Sequence, residues 1–219
     1  MTTRDGAERR RRADGERSRR AILEAAAQLA TTEGLEGLSI GHLAERTGMS
    51  KSGLYAHFGS KEELQLATVD TAREIFEAEV VRPTETITDP LSRLEALCEQ
   101  FLSHVERRVF AGGCFFASAA AELDTRPGVV QERVVELQQQ WEETLERLVR
   151  DAQAEGELDA DEDPAQLVFE IDAYLLSGNT GFVLNGDPRP LHQARTAVRA
   201  RLAGARPVPR VRRGSAARG

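Results

Sequence analysis

Cysteine is almost missing from this 219-residue chain, which holds only Cys98 and Cys114. Two thiols cannot build the disulfide framework of a small secreted domain, and a reducing, cytoplasmic setting is expected. Histidine is confined to positions 42, 57, 104 and 192, too scattered for a metal-ligand spacing, so neither metal nor cofactor is expected. No apolar run approaches the ~20 residues that span a bilayer. The arginine-rich start is not followed by the apolar stretch of a secretory signal, and no membrane partner is expected. β-Branched residues are sparse, while Ala, Leu, Glu and Arg dominate. That balance argues against a sheet-built domain and for an all-α fold.

Charge is plentiful and unevenly spread. The chain is 30% charged with a net charge of −7. Residues 61–160 carry 10 Lys/Arg against 22 Asp/Glu, whereas residues 1–60 carry 10 against 8 and residues 161–219 carry 9 against 6. An acidic middle between basic ends is compatible with nucleic acid as a partner, because counterion release needs only a local basic face.

Residues 1–17 are arginine-rich without apolar period and read as a disordered basic arm. From Ser18, the apolar spacing of Ile22, Leu23, Ala26, Leu29 and Ala30 predicts an amphipathic helix ending near Gly34. Ser39 caps a short helix to about Arg46, and Gly48 supplies the break. Ser50 caps a second short helix to about Ala56. The stretch Ser60 to Glu63 is a capping box that opens a helix from Lys61 to about Val80. Asp89-Pro90 and Asp163-Pro164 each predict a capped helix start. The stripes of Leu91 to Val109, Phe115 to Leu123, Val130 to Ala152, Leu167 to Val183 and Leu191 to Leu202 supply the remaining helices. The tail from residue 205 is basic and read as disordered. The expected division is residues 1–17 arm, 18–62 head, 63–204 body and 205–219 tail.

Two short helices joined by a glycine turn and braced by a preceding helix form a helix-turn-helix, whose second short helix enters the major groove. Leu54 and Phe58 are expected to face the small core with Leu43, Ala44 and Met49. Ser50, Lys51, Ser52, Gly53, Tyr55 and His57 are then left on or near the outer side. Lys51 and Lys61 suit phosphates as point charges, and the hydroxyls of Ser50, Ser52 and Tyr55 can donate to phosphate oxygens.

The segment Ser39 to Leu64, "SIGHLAERTGMSKSGLYAHFGSKEEL", resembles the N-terminal signature of the tetracycline-repressor (TetR) family of regulators. "GGCFFASAAAELDTRPG", Gly112 to Gly128, is similar to a C-terminal domain type common in that family. The resemblance implies an all-helical homodimer with a three-helix DNA-binding head, a fourth helix leading into a ligand-binding body, and a dimer interface built by the last two helices. It carries DNA contacts onto Ser50, Lys51, Ser52, Tyr55, His57 and Lys61, and onto Ser39. At Gly53 and Ala56 the chain departs from the usual pattern and offers fewer base-reading groups.

In the body, Phe76, Phe101, His104, Phe115, Phe116, Trp141 and Tyr174 are candidates to line a ligand cavity, since pockets are apolar with few polar groups. The helix after Pro164 is apolar on two sides. Its second stripe, Phe169, Ala173, Leu176, Thr180 and Val183, is expected to meet its own copy, with Leu191 and Val198 completing the interface. An enzyme is not expected, because nothing in the spacing orients a Cys114–His104 pair. The function that follows is a ligand-responsive, DNA-binding transcriptional regulator: a repressor that binds a palindromic operator as a dimer and is released by a small apolar effector. The alternative is a helical ligand-binding or interaction protein without DNA binding.

Overall fold

The computed structural model describes residues 3–207, with side chains from residue 13 onward. Nine α-helices and no strand occur among the described residues. The head is built from α1 (Thr3–Glu33), α2 (Ile40–Thr47) and α3 (Lys51–Tyr55). The body holds α4 (Lys61–Phe76), α5 (Pro90–Glu106), α6 (Phe115–Leu123), α7 (Val129–Ala154), α8 (Pro164–Asn185) and α9 (Arg189–Gly204).

The helix starts follow from local chemistry. Asp89 accepts from the Ser92 amide at 2.7 Å with Pro90 at the first position of α5, and Asp163 accepts from the Ala165 amide at 3.0 Å ahead of Pro164.

Three boundaries differ from those read in the sequence. Residues 3–17 form the first half of α1, so they are not a disordered arm. A missing apolar stripe argues against packing, not against helicity. Arg, Glu and Ala are good helix formers, and Arg17–Asp14 and Arg20–Glu24 pairs lie along the exposed helix. The end of α4 does not run on as regular α-helix: Glu77–Val81 form a π turn and Arg82–Thr84 a 3-10 turn. Residues 205–207 continue directly from α9, with Ala205 buried and its carbonyl accepting from the Asp159 amide at 2.8 Å. The rest of the predicted tail, residues 208–219, lies outside the described residues.

Two hydrophobic clusters make up the core. One joins α1, α2, Leu54 of α3 and Phe58 to the first part of α4, to α6 and to the first half of α7. The other fills the body between α5, the second half of α7, α8 and α9. The core therefore does not divide at residue 62, because the head shares its apolar cluster with α4, α6 and α7.

The loop from α5 to α6 fastens to α1. Gln28 donates to the Val109 carbonyl at 2.6 Å and accepts from the Ala111 amide at 3.1 Å, and Thr31 Oγ1 accepts from the Gly112 amide at 3.1 Å. A Cβ on Gly112 would lie 1.9 Å from the Thr31 carbonyl oxygen, so only glycine allows this approach. From α6, the Glu122 carboxylate accepts from the amides of Leu35 at 2.6 Å and Glu36 at 2.8 Å, which belong to the α1–α2 loop.

Candidate nucleic-acid interface and effector cavity

The caps that shape the head are all made. Ser39 Oγ accepts from the His42 amide at 3.1 Å, Ser50 Oγ from the Gly53 amide at 3.1 Å, and Ser60 Oγ from the Glu63 amide at 3.0 Å. The Glu63 carboxylate reaches back to the Gly59 amide at 2.9 Å, one residue earlier than a standard capping box. Gly48 turns the chain between α2 and α3 at φ 68°. Leu43, Leu54 and Phe58 are fully buried beneath α3.

That burial fixes what α3 presents. Ser50, Lys51, Ser52 and Tyr55 are exposed, and Gly53 and His57 are half-exposed beside them. Tyr55 leaves 60% of its surface open, so it does not complete the head's core. Lys51 lies along α2, where a Cβ on Gly41 would be 3.5 Å from its Nζ. Ser39 is exposed at the start of α2. Lys61 is also exposed, but its Nζ already donates to the Glu36 carbonyl at 2.7 Å and carboxylate at 3.1 Å. That contact, with a further one from Gln65, holds the Glu36 carboxyl below its ordinary range. Arg19, not singled out in the sequence, sets its guanidinium 5.2 Å from the centre of the Phe58 ring.

A cavity of about 400 Å³ opens in the body between the end of α4, α5, α6, α7 and α8. Phe76, Phe101, Phe116 and Trp141 line it. The Phe76 ring meets Phe101, Phe116 and Trp141 edge-on at 6.3, 5.9 and 5.3 Å between centres. Three other candidates lie elsewhere. Phe115 is buried in the head-side cluster, because consecutive residues on a helix point about 100° apart and Phe116 alone turns to the cavity. His104 is wholly buried behind Phe76, 5.9 Å from its ring centre. Tyr174 faces α9, in a groove with Gly178, Pro190 and Ala197.

The sequence reading missed the cavity's polar groups. Asp172, one turn along α8 from Val168, reaches the wall and accepts from Trp141 Nε1 at 3.4 Å. Burial pushes its carboxyl above the ordinary carboxylate value. Glu142 is raised as well, by burial first and then by the neighbouring charges of Asp172 and Glu146. The Cys114 thiol also reaches the wall, and burial raises it to about 11, which keeps it protonated and unreactive. Cys98 is buried and raised to about 12. No signal short of the fold marks Asp172, since an acid inside an apolar stripe does not declare which helix it will face.

On the outer side of α8, Phe169 is 69% and Leu184 79% exposed. Ala173 and Thr180 are also exposed, and Leu176 and Val183 half-buried. Leu191 and Val198, expected at an interface, are buried inside the chain's own body. On α9 the pattern of 3 and 4 marks the side turned to α5 and α8. His192, Gln193, Thr196 and Ala200 are exposed instead.

A helix-turn-helix head seated on a larger helical body with an internal cavity defines a one-component, DNA-binding regulator. Comparison with known proteins agrees over most of the chain. The family of bacterial regulatory proteins named tetR matches residues 22–68, and the tetracyclin repressor-like C-terminal domain matches residues 90–198. The chain is 26% identical over 134 residues to the HTH-type transcriptional regulator LmrA of Bacillus subtilis, covering 61% of this chain and 71% of that protein. It is 24% identical over 185 residues to the transcriptional regulator AcuR of Cereibacter sphaeroides, covering 82% of each. A TetR transcriptional regulator from Chloroflexus aurantiacus superposes with a TM-score of 0.81 at 28% identity, over 87% of this chain and 96% of that one. AibR in complex with isovaleryl coenzyme A and operator DNA superposes with a TM-score of 0.67 at 27% identity, over 82% of this chain and 95% of that one. The chain belongs to the TetR family, and it is a ligand-responsive, DNA-binding transcriptional regulator.

Proposed function

We propose that the chain is a repressor that binds a roughly palindromic operator as a homodimer and leaves it when a small effector with an apolar body enters the cavity. The observation that carries this reading is the exposed set Ser50, Lys51, Ser52 and Tyr55 on a fully capped α3. A solvent-facing tyrosine between hydroxyls and a lysine has no structural use in the head, and it suits a phosphate backbone and base edges. In this reading Lys51 contacts a phosphate, while Ser50, Ser52, Tyr55 and His57 position α3 in the major groove. Ser39 and the approach over Gly53 extend the contact, and Lys61 exchanges Glu36 for a phosphate. Helices α1 to α3 act as the head and α4 to α9 as the ligand-binding and dimerisation body.

The route from cavity to head runs through two elements. The π turn of Glu77–Val81 ends α4 at the cavity, and π turns often mark functional sites. Helix α6 presents Phe116 and Ala117 to the cavity and Glu122 to the α1–α2 loop. An effector that repacks Phe76 and Phe116 shifts both, and so changes the spacing of two heads that must match half-sites about 34 Å apart or a multiple of it. To move occupancy strongly, it must favour the released state by a few kcal/mol.

Selection of bound sequences from random duplex DNA tests the reading. Recovery of inverted half-sites with a fixed spacing supports it. Recovery of no enriched sequence at moderate salt would mean that the chain has lost its operator and acts as a helical ligand-binding protein.

A further inference from the structure

The cavity has aromatic walls and one half-buried acid among them, Asp172, while Glu142 is exposed at its edge. Asp172 has a single hydrogen-bond donor, Trp141 Nε1 at 3.4 Å, and no ion pair among the described residues. Glu142, one residue beyond Trp141 on α7, lines the same cavity, and after burial the Asp172 charge adds to the rise of its carboxyl. The cavity's cations do not answer them. Arg73 pairs with Glu77 of the following π turn and keeps a buried Nε without a partner, and Arg82 is exposed; neither forms an ion pair with Asp172 or Glu142. Around the carboxylates stand ring surfaces: Trp141 and Phe101 are stacked at 6.4 Å and 28°, and Phe76 closes edge-on against both.

We propose that the effector is an organic cation, a protonated amine or quaternary ammonium on an aromatic or alkyl body, with its charge beside Asp172 and against the rings of Phe76, Phe101 and Trp141. This inference rests on the reading of the cavity as the effector site. An anionic ligand would add a third negative charge next to Asp172 and Glu142. A neutral ligand would strip water from Asp172 and leave it unpaired, which costs free energy. A cation offsets that desolvation, satisfies the carboxylate and gains attraction from the ring faces. The apolar body fits the remaining wall, and a cavity of about 400 Å³ suits a drug-sized molecule. The excess of 22 acidic over 10 basic residues in positions 61–160 draws cations toward the body at long range.

The chain's one tryptophan is Trp141, so its fluorescence reports on the cavity directly. Three probes of one size isolate the charge: phenylbutylamine as the cation, phenylbutanol as the neutral form and phenylbutyrate as the anion. Each is titrated against the full chain while release of a labelled operator is followed by anisotropy. The amine is expected to half-saturate the Trp141 signal at a concentration about tenfold or more below the alcohol, with the carboxylate weakest. Asp172→Asn should close the gap between amine and alcohol, and Glu142→Gln at the rim should narrow it. Glu142→Gln alone serves if Asp172→Asn fails to fold. Equal affinity for amine and alcohol, preference for the carboxylate, or a gap that survives Asp172→Asn and Glu142→Gln overturns the cation proposal. In each of those cases the effector-site reading stands as long as Trp141 responds and operator is released. Silence of Trp141 to all three probes at millimolar concentration brings down both.

Discussion

His104 shows how a single residue can be placed yet misjudged. It is the most polar member among the residues expected to line the cavity, one position off the Phe101–Val105 stripe. It sits instead behind the wall, between Phe76 and Phe110, with both ring nitrogens buried and unpartnered. Burial lowers its pKa from the ordinary 6.5 to about 4, with Glu79 raising it and Arg107 lowering it to a smaller degree. A base whose folded pKa is depressed contributes stability that is complete above its unfolded value and is lost as the pH falls. Stability attributable to His104 should therefore drain away between pH 6.5 and about 4. His104→Met removes two unsatisfied polar atoms, so it should flatten the thermal-melting profile across that window and cost little at neutral pH. An unchanged acid limb in the variant would place the titration elsewhere. Lys51 is the opposite case, a residue whose role follows from its exposure. Lys51→Ala should weaken binding to all sequences and reduce the salt slope by about one. A shift in sequence preference with the slope intact would show that Lys51 reads a base. Apolar identity was readable at this scale because spacing by 3 and 4 reports it. Orientation was not, since Phe115 and Phe116 differ only by a turn about the helix axis that tertiary contacts set.

Elements were more legible at their starts than at their ends. Ser39, Ser50, Ser60, Asp89 and Asp163 all cap the helices they were assigned, because a cap is a local event between a side chain and amides two or three residues on. The π turn after Phe76 has no such signature. It is bounded by Pro83 and packed against α5, a long-range circumstance. The helical run before Ser18 was missed because helix propensity without an apolar face leaves no period to read. The coupling between α6 and the head was equally hidden, for Glu122 lies 87 residues from Leu35. That carboxylate is the sharpest test of the proposed route. Glu122→Ala leaves the amides of Leu35 and Glu36 without their acceptor, at an expected cost of about 1–3 kcal/mol. Operator binding should persist below the lowered melting temperature, while release by a given concentration of effector falls. Wild-type release in Glu122→Ala would exclude α6 as a route and leave α4 as the carrier.

At the scale of the molecule, the two hydrophobic clusters and the outer side of α8 belong to one design. Phe116 packs against both clusters, so the cavity lies where the head's core and the body's core meet. The cavity also borders the outer side of α8: Glu142, Asp172 and Leu176 line it and, with Phe169 and Ala173, a neighbouring groove. A second copy seated on α8 would cover that groove and tie the relative angle of two heads to the walls of two cavities. Phe169 and Leu184 are the most exposed large apolar side chains among the described residues, both on the outer side of α8, and such a stripe calls for a partner. A two-fold arrangement uses the same patch twice, so one charge introduced there is felt twice, once from each copy. Phe169 is the site for it, because Leu176 also lines the cavity and its replacement would confound assembly with effector binding. Phe169→Glu should convert the protein to monomers in sedimentation experiments, leave the helical content and the Trp141 signal as they are, and reduce operator binding to the weak, non-cooperative affinity of a single head. Dimers that persist with full operator affinity would move the interface off the exposed stripe of α8, to the side of α9 that carries His192, Thr196 and Ala200.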